Sequence, residues 1–188
     1  MAAKLSVFDT ISLDGYFTDA NNSERFAHDG APDPEFDDFT SNNAAGGGAL
    51  LMGRKTYEVM IRFWPTAAAM EQMPTVAKAM NAMPKYVISH TLRNPGWENT
   101  HVLIGKLAHD VPRLKARSDV GITILGSGSI VAQLTELGLI DEYQFVVAPV
   151  VLGRGRSLFE GVTGRPELRV LETRAFRNGK VFLRYAAV

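Results

Sequence analysis

An α/β domain with a mixed, mostly parallel central sheet and helices on both faces is predicted by three observations. Short apolar runs alternate with helix-spaced segments from Ala49 to Ala148, the pattern of strand–helix–strand units that build a parallel sheet. Two of these runs, Leu50-Leu51-Met52 and Ile122-Thr123-Ile124-Leu125, stop at glycine and give way directly to a helix-like sequence. The third is Asn178-Gly179 between the β-rich runs Leu168 to Phe176 and Lys180 to Ala186, the strongest short hairpin signal, so the sheet ends in an antiparallel C-terminal hairpin. At 188 residues the chain suffices for one domain, 1–188, with a substantial core and no repeat or linker.

In chain order, Lys4 to Ser12 reads as the first strand and Asp14-Gly15 as a turn. Thr18 to Pro34 is rich in Asp, Asn, Gly and Pro and reads as a long surface loop. Pro34 opens a short helix, which Gly46-Gly47-Gly48 breaks before the strand at Ala49 to Met52. A helix runs from Lys55 toward Phe63 and stops at Trp64-Pro65. Met70 to Met83 has helical spacing and is closed by Pro84. Strands follow at Tyr86 to Ser89 and His101 to Ile104, then a helix from Leu107 to Arg117. Gly121 to Leu125 is a buried strand, Ile130 to Leu137 a helix ended by Gly138, and Tyr143 to Ala148 a strand.

Composition narrows the function. Equal numbers of basic and acidic residues give no net charge, which argues against a nucleic-acid partner held by a basic surface. The absence of cysteine removes disulfides and thiolate chemistry, and the four histidines show no metal spacing, so no metal is expected. No signal-peptide core and no bilayer-length apolar stretch occur; the expectation is a soluble, cytoplasmic protein with no membrane partner.

The chemistry concentrates at the two strand-to-helix junctions. Unpaired N–H groups and the positive end of the helix dipole make such a junction a natural phosphate site, and two of them suit a phosphorylated dinucleotide. In Gly126-Ser127-Gly128-Ser129, followed by Ile130, absent side chains let backbone approach a pyrophosphate and the hydroxyls donate to it; a plain serine-capped turn is the structural alternative. Val131 stands where a third glycine would complete a Rossmann fingerprint, so that motif is excluded. Gly53-Arg54-Lys55-Thr56 sets two cations at a helix start, where the dipole disfavours each by about 0.3–1 kcal/mol unless an anion offsets it. Ser89-His90-Thr91 can supply further donors to the same phosphate. Asp14 follows the first strand, where binding residues gather in α/β sheets, although Asp-Gly is also a routine turn. Of Glu35, Asp37 and Asp38, at most one carboxylate faces inward.

In this order the segments resemble the dihydrofolate reductase-like superfamily, and more closely the riboflavin-biosynthesis reductase domain, over nearly the whole chain. Ser12-Leu13-Asp14-Gly15 matches that family's opening motif, and Met52 to Glu58 its Gly-Arg-x-Thr motif, whose Arg and Thr approach the NADPH phosphates. Ser89-His90-Thr91 stands where the family contacts the adenosine 2′-phosphate, and Leu125 to Ser129 corresponds to its Gly-Gly pyrophosphate turn, with Ser127 replacing one glycine. Ala148 to Phe159 resembles the Pro-x-x-Leu-Gly-x-Gly-x-x-Leu-Phe signature of the riboflavin branch and not of true folate reductases.

The resemblance implies a three-layer dihydrofolate reductase-like fold and an NADPH-dependent reductase of a small C=N or C=O substrate. In the riboflavin branch that substrate is 5-amino-6-(5-phosphoribosylamino)uracil. Asp37 lies nearest the folate reductases' pterin-binding carboxylate, and Asp14 is the other candidate near the substrate. Arg154 and Arg156 either meet a substrate phosphate or extend into solvent. A homodimer is also implied, with the apolar run 145–151 and the C-terminal hairpin as surfaces that need cover. The rivals are a dihydrofolate reductase proper and a nucleotide-binding module without catalysis.

Overall fold

A computed structural model describes residues 2–188 of the chain. β1 (Leu5–Ser12) and the short β2 (Tyr16–Thr18) lead through a 3-10 turn at Arg25–Ala27 to α1 (Pro34–Ala45). Pro34 opens α1 because Asp33 caps it: one carboxylate oxygen accepts the Glu35 and Phe36 N–H groups at 3.1 and 3.4 Å. The other oxygen accepts the Asn178 N–H at 3.1 Å and fastens the helix start to the C-terminal hairpin turn.

β3 (Ala49–Gly53) runs into α2 (Arg54–Met60), followed by α3 (Ala67–Gln72) and α4 (Pro74–Ala82). The methionine-rich segment is thus two helices and not the single one its spacing predicts. Pro74 lacks an N–H and sits at the first position of α4, so Met73 becomes the non-helical joint between them. Then come β4 (Lys85–Ile88), β5 (Thr100–Leu103), α5 (Leu107–Arg117), β6 (Ile122–Leu125) and α6 (Gly128–Glu136). The chain closes with β7 (Glu142–Ala148), the two-residue β8 (Arg156–Ser157), β9 (Leu168–Ala175) and β10 (Val181–Ala187).

Eight strands form one sheet in the order β5-β4-β3-β6-β1-β7-β10-β9, while β2 and β8 pair separately. Strands β5 to β7 in that order are parallel; β10 runs antiparallel to β7, and β9 to β10, as the Asn-Gly hairpin requires. Alternation along β3 explains the layers. Ala49 and Leu51 pack with Val111, Val131 and Leu134 of α5 and α6, whereas Leu50 and Met52 pack with Val76 and Met80 of α4 on the other face. The result is the expected mixed sheet with helices on both sides.

Lys85 is fully buried beneath that second face. Its ammonium donates to the carbonyls of Met83, Asn81 and Glu98 at 2.6, 3.0 and 3.1 Å and lies 4.5 Å from the Trp97 ring centre. Burial lowers its pKa to about 8, against the smaller opposing pull of Glu98.

Within the run 145–151, residues 145–148 belong to β7, an interior strand between β1 and β10 that offers no sheet edge, while Val151 beyond it is exposed. β5 and β9 are the two edges of the sheet, and on β9 Leu168, Val170 and Leu171 are exposed. Among the described residues no helix is long and apolar enough to cross a membrane.

Candidate active site

The two strand-to-helix junctions lie side by side because β3 and β6 are neighbours in the sheet. Ser127 joins them: its Oγ accepts the Gly53 N–H at 2.7 Å and shares a hydrogen bond of 2.8 Å with Thr56 Oγ1. Gly126 and Ser127 both adopt left-handed backbone, with φ of 53° and 65°. That conformation is free of strain at glycine but costs about 1–2 kcal/mol at serine, so the bonds made by Ser127 hold it in place. No side chain caps α2 or α6, which leaves their leading N–H groups unclaimed by a capping residue.

A cleft of about 720 Å³ opens at these junctions. Of the residues the sequence motifs single out, Gly53, Arg54, Lys55, Thr56, His90, Ser127, Ser129 and Ile130 line it, and Ser89, Thr91, Gly126 and Gly128 do not. Ser89 is buried and its Oγ accepts the Thr91 and Leu92 N–H groups at 3.1 and 3.0 Å, so it shapes the turn beside His90. Gly128 is also constrained by internal packing: a Cβ there would come within 2.7 Å of the Phe17 ring and 3.2 Å of the Ser157 carbonyl. Arg54 pairs with Glu58 one turn along α2 at 2.6 Å, both side chains being about four-tenths exposed.

Arg156 also lines this cleft, 5.2 Å from the Phe17 ring centre, and not the chamber across the sheet. Arg154 is exposed and lines neither. Glu24, which no motif marked, faces the same cleft; burial raises its pKa against the pull of His28 and Arg156. Asp9 of β1 was equally invisible in the sequence. Its Oδ2 is buried without a hydrogen-bond partner, and burial, then the Glu24 charge, push its carboxyl well above the usual range.

The second chamber, about 750 Å³, lies on the opposite face of the sheet. Phe8, Phe36, Trp64, Met73 and Met80 give it aromatic and thioether walls. Asp37 lines it beside Asp33 and Lys180, whose ammonium donates to the Ala27 carbonyl at 2.9 Å and lies 4.6 Å from the Phe36 ring centre. Met60, at the end of α2, is a wall of both chambers.

Asp14 lines neither chamber. Its carboxylate accepts the Ser12 hydroxyl at 2.6 Å and the Leu152 and Gly153 N–H groups at 3.1 and 2.7 Å. These bonds, Ser12 first, lower its pKa and clip the turn after β1 to the loop after β7. Among the described residues no three His, Cys, Asp or Glu side chains converge as metal ligands would.

Comparison with known proteins agrees with this geometry. The family model described as the RibD C-terminal domain matches residues 3–182. The Bacillus subtilis (strain 168) protein YyaP is 30% identical over 176 residues, 93% of this chain and 90% of its own. A Shewanella sp. PV-4 protein ascribed to riboflavin biosynthesis superposes with a TM-score of 0.79 at 24% identity, covering 100% of this chain and 99% of that one. An Enterococcus faecalis dihydrofolate reductase, solved as a complex with NADP(H), superposes with a TM-score of 0.61 at 10% identity, over 100% and 99%. The three-layer dihydrofolate reductase-like fold is therefore shared.

Proposed function

Because this chain belongs to the RibD C-terminal domain family, we propose that it is an NADPH-dependent reductase of a small substrate carrying a C=N or C=O bond. One observation carries the reading: two chambers of different chemistry meet at a single side chain, Met60. A binding module without catalysis has no use for the second chamber, and the family match favours the riboflavin branch over a dihydrofolate reductase proper.

NADPH fits the cleft at the junctions. The uncapped start of α6, the left-handed Gly126-Ser127 backbone and the cations Arg54, Lys55 and Arg156 form a donor set suited to phosphates. His90 and Arg54 are the groups available to a 2′-phosphate. When bound, NADPH supplies a hydride to the C=N or C=O carbon, a proton goes to the nitrogen or oxygen, and NADP⁺ remains. Asp37 holds or relays that proton at the wall of the apolar chamber, and Asp14 acts as a positioning residue by fixing the 152–153 loop. The exposed edge of β9 supports a homodimer, for which light scattering should give twice the 20.6 kDa of one chain.

The decisive experiment titrates NADPH and NADH into the protein, then follows NADPH absorbance with a panel of carbonyl and imine compounds. Binding at least tenfold tighter for NADPH, roughly 1.4 kcal/mol, with turnover of some panel member is the expected result. Equal affinity for both cofactors would remove the phosphate assignment.

A further inference from the structure

The walls of the apolar chamber carry a charge pattern that selects among substrates. Its titratable lining residues are Asp29, Asp33, Asp37, His28 and Lys180. No arginine lines it, and Lys180 is its one lysine. That lysine is already committed: it is buried, donates to the Ala27 carbonyl, lies over the Phe36 ring, and is attracted by Asp29 and Asp37. Asp33 is likewise bound to three backbone N–H groups as the cap of α1. Three carboxylates against one engaged ammonium leave the chamber net negative, with Asp29 and Asp37 at its solvent-exposed rim.

A phosphate monoester entering this chamber would meet no free cation and the exposed carboxylates of Asp29 and Asp37. Such like-charge contact is unfavourable, by an amount that solvent at these exposed positions moderates. The arginines that the riboflavin-branch loop offers do not compensate, since Arg156 lines the other cleft and Arg154 lines neither. The rest of the chamber is what a flat ring prefers: Phe8, Phe36 and Trp64 present aromatic surface, and the methionines adapt to irregular outlines.

We propose that the substrate chamber takes an unphosphorylated aromatic or heteroaromatic ring compound, neutral or cationic, and discriminates against phosphorylated sugars. This deepens the reductase reading and rests on it for the word substrate. It separates the chain from reduction of 5-amino-6-(5-phosphoribosylamino)uracil while keeping the hydride chemistry.

Isothermal titration calorimetry with three probes sharing one ring tests it: 1-naphthol, 1-naphthylmethylammonium and 1-naphthyl phosphate. The first two should bind, and the phosphate about tenfold or more weaker than the alcohol. Asp37 is exposed, and in Asp37→Asn, with a native circular dichroism spectrum as the control, the gap between alcohol and phosphate should narrow. Equal or tighter binding of the phosphate, no binding of any probe, or a gap unchanged in Asp37→Asn overturns the proposal. NADPH is titrated in parallel. Ring selectivity without NADPH binding removes the reductase reading and keeps the chamber assignment; NADPH binding without ring selectivity does the reverse.

Discussion

The cleft at the strand-to-helix junctions is shaped by backbone, whereas the chamber across the sheet is shaped by side chains. In the first, left-handed residues, uncapped helix starts and short hydroxyls create the surface, and its cations arrive on two short segments. In the second, residues from β1, the 27–37 segment, α2, α4 and the hairpin converge, and none of them forms a local motif. If the proposed reading holds, backbone geometry would recognise what users of a cofactor share, the phosphate and its charge, and side-chain walls what differs.

The largest expected effect comes from the second region. Asp37→Asn should lower turnover with the best panel substrate by about a hundredfold, the lower end of what general acid–base groups contribute, and leave NADPH affinity unchanged. If both fall together, the two regions are not separable and the comparison breaks.

Lys85 tests the footing of the same region, since it holds the Met83 carbonyl at the end of α4. Its folded pKa is about 8, whereas the unfolded side chain titrates near 10.5. Between those values the unfolded chain keeps a proton that the folded protein has released, so stability rises with pH across the window. Below about pH 8 the cost of the buried charge is present in full. Thermal unfolding of the protein and of Lys85→Met should show a rise on the order of 2 kcal/mol from pH 8 to 10 in the parent alone. Parallel pH profiles would show that Lys85 does not titrate in this window.

Gly128→Val addresses the backbone-built region. Overpacking against Phe17 and Ser157 should cost about 1–3 kcal/mol of stability, with any loss of cofactor affinity following from it. Weakened NADPH binding at unchanged stability would restore the close-approach role that the motif suggests.

The smallest effects sharpen the electrostatics. Arg54→Ala should weaken NADPH about tenfold while NADH is little affected, and Glu58→Gln should tighten NADPH by about twofold, because it frees Arg54 from its partner. Calorimetry distinguishes these signs directly, and a weaker Glu58→Gln complex would mean that the pair acts as a unit.

What the sequence made legible follows the same division. The junctions at Gly53 and Gly126 and the Asn178-Gly179 hairpin are local signals that stand where they were expected, and the strand–helix alternation gave the parallel portion of the sheet but not its strand order. The split at Pro74 was hidden because the methionine spacing continues across it. Ser89 carries a binding motif's letters but spends its hydroxyl on its own turn. Arg156 lies in the other cleft because β8 pairs with β2, a contact between segments far apart in the chain. Asp9 gave no signal at all: an acid within a strand looks like any polar position until burial isolates its Oδ2. The apolar chamber exists only in three dimensions, and so does its charge balance.

Met60 imposes a thermodynamic relation between the two halves of the site. A thioether side chain shared as a wall must settle against whatever fills either space, so the free energy of filling one depends on the state of the other. For the two proposed ligands, linkage would make the influence mutual: the factor by which the dinucleotide changes affinity for the ring compound would equal the factor in the opposite direction, whatever the order of arrival.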